Sequence, residues 1–133
     1  MSLKLKSDEN SRTAKRCIEI SAYNAGASRA YYSTFQRAKS LLKSKGFDYK
    51  SFRQKIGELG EKDFSHGTIQ RALEYYLEHH HCSKDDIISL NRWDQLYYKR
   101  IRADYWNDMT TKQDLVEALS DMDTILEIIS RYE

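Results

Sequence analysis

Proline is absent from all 133 residues of the sequence, and glycine occurs only five times. Proline interrupts a helix because it lacks a backbone donor and its ring clashes with the preceding turn. A chain without proline is therefore free to be helical almost from end to end. Its length is that of one domain, and its 40% of hydrophobic and 32% of charged residues are typical of a globular protein. We therefore predict a single domain that spans residues 1–133.

Apolar residues recur at helical spacing along most of the chain. Together with the turn-forming residues, this spacing predicts helices near 8–23, 27–45, 49–59, 68–80, 83–106 and from 111 onwards. We expect Ser7 or Asp8 to cap the first helix. The second should end at Gly46, and a capping box should open the fifth at Ser83. Because the connections are short and no segment has the two-residue period of a strand, the predicted fold is all-α, an up-and-down bundle of four to six helices.

Membrane, secreted and metal-bound classes are disfavoured by the same sequence. No run approaches the ~18 consecutive apolar residues of a membrane span, and the first ten residues lack the apolar core of a signal peptide. We therefore expect a cytoplasmic protein with no membrane partner. Cys17 and Cys82 have no paired spacing and are predicted to be free thiols. The consecutive histidines 79–81 point about 100° apart on a helix, so we predict no metal site, and no cofactor is expected.

Charge is distributed unevenly along the chain. Residues 1–60 contain thirteen Lys and Arg against five Asp and Glu, whereas the remainder contains nine against fifteen. A basic half attracts phosphate backbones, and an acidic half suits a basic partner or a second copy of the chain. Alternatively, the two halves intermix in the folded bundle and the asymmetry has no functional meaning.

Residues 97–106 contain the strongest candidate site. On a helix, Arg100 and Asp104 are one turn apart on the same face, which fixes the orientation of a guanidinium for binding a phosphate. Neighbouring side chains add positive charge for a phosphate and flat faces for a base: Lys99, Arg102, Tyr105 and Trp106. The same residues also fit an ordinary surface ion pair beside core aromatics, so the pattern alone leaves both interpretations open.

His66 is the candidate for an imidazole at the same site. It precedes the predicted helix at 68–80 and fits a catalytic base, a phosphate ligand or an ordinary loop residue. A metal-independent ribonuclease needs little more than a base or acid near the 2′-hydroxyl and a cation at the phosphate. The sequence contains such groups, but it does not place them together.

Three short motifs resemble those of HEPN (higher eukaryotes and prokaryotes nucleotide-binding) domains. Residues 22–35, AYNAGASRAYYSTF, are similar to the signature helix of the family, and the pattern continues through residues 38, 41 and 42. Residues 65–67, SHG, resemble its histidine-bearing loop, and residues 100–105, RIRADY, resemble its RxxADY motif. The three motifs occur in the family's order and extend the resemblance over about residues 8–130.

The resemblance implies a helical bundle of four to five helices that dimerises, with polar residues in a cleft between subunits and RNA or a nucleotide as ligand. Many members are metal-independent ribonucleases of toxin–antitoxin, phage-defence or CRISPR-linked systems, and a minimal nucleotidyltransferase is a frequent partner. Ribonuclease members have an arginine followed four to six residues later by a histidine. Here the fifth residue after Arg100 is Tyr105, and no histidine follows His81. Tyrosine is a poor base at neutral pH.

Two hypotheses follow. The first is a homodimeric, RNA- or nucleotide-directed protein of a prokaryotic toxin–antitoxin or phage-defence module, either a metal-independent endoribonuclease or a binder. Arg100 would bind a phosphate, Asp104 would orient it, and Tyr105 or His66 would complete the site. Further substrate contacts are predicted from Arg29, Tyr32, Lys99 and Arg102. The second is a non-enzymatic helical module that dimerises and docks a nucleotidyltransferase or another protein.

Overall fold

Helices make up most of the chain in a computed structural model, which describes residues 2–56, 66–106 and 109–133. No strand occurs within these ranges. The elements, in chain order, are α1 (Leu3–Glu19), α2 (Tyr23–Ser44), α3 (Tyr49–Ile56), α4 (His66–Glu78), α5 (Lys84–Ser89), α6 (Arg92–Tyr105) and α7 (Lys112–Ser130). The prediction of an all-α bundle is confirmed.

The first helix begins earlier than its sequence suggested. Ser2 is the N-cap, and its hydroxyl accepts a hydrogen bond from the backbone of Leu5 at 3.1 Å. The expectation that Ser7 or Asp8 caps this helix is therefore wrong. Ser7 instead lies buried against α2, where its hydroxyl donates to the Ser33 carbonyl at 2.7 Å. A polar residue that resembled a cap serves as a contact between two helices.

The second helix also starts before its predicted boundary, because Gly26 lies inside it. A Cβ at this position would lie 2.7 Å from the side chain of Leu115 and 2.9 Å from the Cβ of Cys17. Glycine is needed here so that α1 and α7 can approach α2 closely, and the residue does not mark a break. The predicted end is confirmed, since Gly46 follows the helix with φ of +63°.

The predicted helix over 83–106 is two helices in the structure. Ser83 caps α5 as expected, accepting from the Asp86 backbone at 3.1 Å. At the junction, backbone bonds link residues three apart, including Asn91 to Ile88 and Trp93 to Leu90. Such a tighter turn aligns positions three residues apart. Leu90 and Trp93 both become buried, so burial of these two side chains accompanies the break between α5 and α6.

The bundle is organised around α2, which packs against α1, α4, α6 and α7. Contacts with α1 run in opposite directions along the two helices: Ser7 bonds to Ser33, whereas Cys17 adjoins Gly26. The two helices are therefore antiparallel, as the short connection between them predicted. The last helix starts where it was predicted, and a capping box opens it, with Thr111 and Asp114 each accepting from the backbone of the other. In the described part of the chain, no helix is both long and apolar enough to cross a membrane.

Candidate functional site

Arg100 is a buried cation at the contact between α6 and α2, with 8% of its surface exposed. Its Nη2 donates to the Tyr32 hydroxyl at 2.7 Å, and its Nε lies 3.0 Å from Oδ2 of Asp104. The ion pair predicted from the i,i+4 spacing is thus formed. The Ser28 hydroxyl, on α2, donates to the same carboxylate oxygen at 3.4 Å. Two helices therefore fix the guanidinium.

The Nε atom of Arg100 is buried and makes no hydrogen bond despite its closeness to Asp104, because the N–H does not point at the carboxylate. Within the described residues, the guanidinium makes a single hydrogen bond, to Tyr32. A guanidinium has five N–H donors, and buried donors are nearly always satisfied in folded proteins. The guanidinium therefore has donors that no described residue uses.

Three tyrosine rings surround the guanidinium. The Cζ atom of Arg100 lies 5.3 Å from the ring centroid of Tyr32, 5.5 Å from that of Tyr105 and 5.8 Å from that of Tyr31. These distances are within the range of cation–π attraction. Tyr31 is fully buried and Tyr105 is 69% exposed, so the rings extend from the core to the solvent. The site has a fixed inner side and an open outer side.

The protonation states of the inner groups are set by their surroundings. Burial lowers the pKa of Arg100, but the interactions with Tyr32 and then Asp104 more than offset it, so the pKa lies above its ordinary value. The guanidinium therefore remains positively charged in the folded protein. Burial is also the largest effect on Tyr31 and raises the pKa of its hydroxyl well above the usual range. Tyr31 is consequently neutral and is not available as a base.

Lys99 and Arg102, predicted as substrate contacts, are not brought to Arg100. The Lys99 ammonium lies 3.5 Å from Asp121 and 3.7 Å from Glu117, both on α7. The Arg102 guanidinium lies 5.8 Å from the ring of Trp106. Both line a groove of about 430 Å³ between α6 and α7 that also contains acidic side chains. Residues next to each other on a helix point about 100° apart, which separates Lys99 from Arg100.

Arg29 and His66, the remaining predicted site residues, occupy different surroundings. Arg29 turns towards α1, where its Nη1 donates to Oδ1 of Asn10 at 2.9 Å. His66 begins α4, and its side chain lies outside the described residues. The adjacent Gly67 lines a cavity of about 130 Å³ together with Tyr97, whose ring centroid is 5.5 Å from that of Tyr31. The start of α4 therefore shares a cavity with a tyrosine that adjoins Tyr31.

Two contributors were not identified from the sequence. Ser28 contacts Asp104, and Tyr31 forms the buried side of the site. A usable signal was present for Ser28, because it lies four residues before Tyr32 and hence on the same face of α2. Nothing local in the sequence links α2 to α6, so their contact was not predictable from spacing.

The HEPN domain family model matches residues 1–132, almost the whole chain. The protein therefore belongs to the HEPN family, and the resemblance carried by its three motifs is confirmed. No curated protein matches the chain with statistical support.

Proposed function

We propose that this HEPN protein binds single-stranded RNA, with a backbone phosphate at Arg100. The observation that carries the proposal is the buried guanidinium, held by Tyr32 and Asp104 with most of its donors unused. A planar, oriented guanidinium matches the geometry of a phosphate, and pre-orientation lowers the entropy lost on binding. The Nη donors that Tyr32 does not accept would bind phosphate oxygens.

An exposed aromatic ring at the end of α6 suits a base of the same ligand. Tyr105 is 69% exposed, and its ring lies beside the Arg100 guanidinium. Stacking on such rings is tolerant of sequence, because every base has a flat face. Single-stranded RNA presents unpaired bases beside its phosphates, whereas a duplex hides them. A phosphate at Arg100 and a base on Tyr105 would therefore belong to one nucleotide.

Base stacking is tested by Tyr105→Ala. We expect the affinity for a fluorescein-labelled 12-nucleotide RNA, measured by anisotropy, to fall by roughly 5- to 150-fold, since stacking contributes about 1–3 kcal/mol per base. Ile88→Ala serves as the control, because Ile88 is a similarly exposed large apolar residue, on α5. Equal affinities for Tyr105→Ala and wild type would show that no base stacks on this ring.

Metal-independent RNA cleavage is a second candidate function, favoured by the position of Gly67, the residue that follows His66. Gly67 lines a cavity together with Tyr97, whose ring adjoins the buried ring of Tyr31. The imidazole of His66 would supply the base that Tyr105 replaces in the motif. We expect wild-type protein to cleave labelled total RNA in EDTA, and His66→Ala to abolish cleavage while retaining binding. Cleavage that persists in His66→Ala would exclude this role, and no cleavage by the wild type would leave binding as the function.

Dimerisation is proposed through exposed apolar side chains on α6 and after it: Tyr98, Trp106 and Met109, the last being 75% exposed. A symmetric dimer is the commonest assembly of a small protein, and large exposed apolar side chains favour an interface. Light scattering should give twice the 15.7 kDa chain mass, and Trp106→Asp should return the monomer. A monomeric wild type would contradict the proposal. The toxin–antitoxin or phage-defence setting and the nucleotidyltransferase partner stay predictions of the resemblance.

A further inference from the structure

We infer that the groove between α1 and α2 continues the RNA-binding surface and holds the RNA backbone beyond the phosphate at Arg100. The groove has a volume of about 370 Å³ and is lined by Lys6, Glu9, Asn10, Arg29 and Gln36. The inference rests on the proposed function, because it concerns the path of the same ligand. The groove residues would contact the RNA at a second place, separate from the Arg100 site.

The polar side chains of the groove are ordered by hydrogen bonds. Arg29 donates to Oδ1 of Asn10 at 2.9 Å, and Nδ2 of Asn10 donates to Oε1 of Gln36 at 2.9 Å. These two hydrogen bonds use the side-chain amide oxygens of Asn10 and Gln36 as acceptors. In the described residues, the Gln36 amide nitrogen and the other guanidinium nitrogens of Arg29 have no hydrogen-bond partner. The groove therefore presents donors, as an anionic ligand requires.

The two cations of the groove have no acidic partner. Within residues 2–56, 66–106 and 109–133, neither Lys6 nor Arg29 has a carboxylate oxygen within 4.0 Å. Other cations on the same two helices do: Arg37 pairs with both Asp8 and Glu133. One carboxylate, Glu9, lines the groove, so the lining residues carry a net charge of +1. Unpaired cations beside ordered amides are suited to phosphate and sugar contacts.

The groove adjoins the Arg100 site along α2. Tyr32 contacts Arg100 on α6, while Arg29 and Gln36 contact Asn10 on α1. Arg29 is three residues before Tyr32, which places their Cβ atoms about 5–6 Å apart. Gln36 follows Tyr32 by one helical turn, about 5.4 Å. These short spacings along α2 place the groove within reach of a strand that leaves Arg100.

The experiment compares a short probe with a long one. AMP carries one phosphate and reaches only the Arg100 site, whereas a 12-nucleotide RNA spans both sites. We expect Lys6→Ala and Arg29→Gln each to weaken binding of the RNA several-fold and to leave AMP binding unchanged. Each substitution should also reduce the slope of log K against log salt concentration by about 0.7, the value for one phosphate contact of a single strand. Glutamine at position 29 keeps a donor for Asn10, and circular dichroism would verify the fold.

Lys84→Ala is the matched control, because Lys84 is exposed on α5, which packs against α4 and α7 and so lies away from the groove. It should bind both probes as the wild type does. If Lys6→Ala and Arg29→Gln retain wild-type RNA affinity and salt dependence while Arg100→Lys weakens both probes, the groove inference is overturned and the proposed function stands. If Arg100→Lys changes the binding of neither probe, the proposed function fails and the continuous path fails with it.

Discussion

Replacement of Arg100 by lysine is expected to lower the affinity for single-stranded RNA by about 10- to 150-fold, even though the positive charge is retained. A hydrogen bond to a charged group contributes about 1.5–3 kcal/mol. Lysine is a compact point charge that cannot donate to Tyr32 and present a planar pair of donors to a phosphate at the same time. The expected loss therefore tests the orientation of the guanidinium and not merely its charge. Anisotropy with the 12-nucleotide RNA measures it.

The control for this substitution is Arg92→Lys. Arg92 is the first residue of α6, with a side chain that is 44% exposed, and it donates to Thr124 on α7 at 3.0 Å. The same chemical change at this position should leave RNA affinity at the wild-type value. Equal affinities for Arg100→Lys and wild type would show that no phosphate binds at Arg100. Equal losses of affinity in Arg100→Lys and Arg92→Lys would indicate that replacing any arginine by lysine weakens binding.

Tyr31→Ala is expected to lower the free energy of unfolding by about 3–5 kcal/mol, the range for removing a large aromatic side chain from a core. Tyr31 is fully buried. Its ring packs edge-on against Trp93 at 6.1 Å and stacks with Phe35 at 6.3 Å between centroids. Removing it would leave a cavity beneath the Arg100 guanidinium. Urea unfolding followed by circular dichroism gives the measurement.

Tyr105→Ala provides the comparison, because Tyr105 is nearly the same distance from Arg100 but is 69% exposed. Its unfolding free energy should stay within about 0.5 kcal/mol of the wild type, as is usual for surface substitutions. The two tyrosines that contact the Arg100 guanidinium would then affect different properties. Tyr31 would determine the free energy of unfolding, and Tyr105 would determine the affinity for RNA. Similar losses of stability in the two variants would contradict the division of the site into a buried and an open side.

The fold was predictable from the sequence wherever the determining contact is local. Gly46 ends α2 and Thr111 opens α7 as expected, since both signals depend on residues within one turn. The errors arose where a distant helix decides the outcome. Ser7 resembled a cap but contacts Ser33, and Gly26 resembled a break but admits the side chain of Leu115. Neither partner is visible in the neighbouring sequence.

The contacts of the candidate site also include local ones, which the sequence predicted, and distant ones, which it did not. The pair of Arg100 and Asp104 follows from helical spacing and is formed in the structure. The hydrogen bond from Arg100 to Tyr32 joins residues 68 positions apart, so spacing could not reveal it. Lys99 was associated with Arg100 because it is adjacent in the sequence, although adjacency on a helix separates side chains. Its carboxylate partners lie on a different helix, α7, 18 and 22 positions further along the chain.

Because Gly26 has no side chain, the helices that pack against it also restrain the position of α2. Because α2 meets both Leu115 and Cys17 at Gly26, the first turn of the helix is held from two directions. Ser28 and Tyr32 lie in the next turns of that helix, so the packing at Gly26 also fixes their positions. On the opposite side, Tyr105 is the last residue of α6 and Trp106 is already extended. A phosphate bound at Arg100, as proposed, would therefore meet one side that core packing fixes and one side formed by the end of a helix.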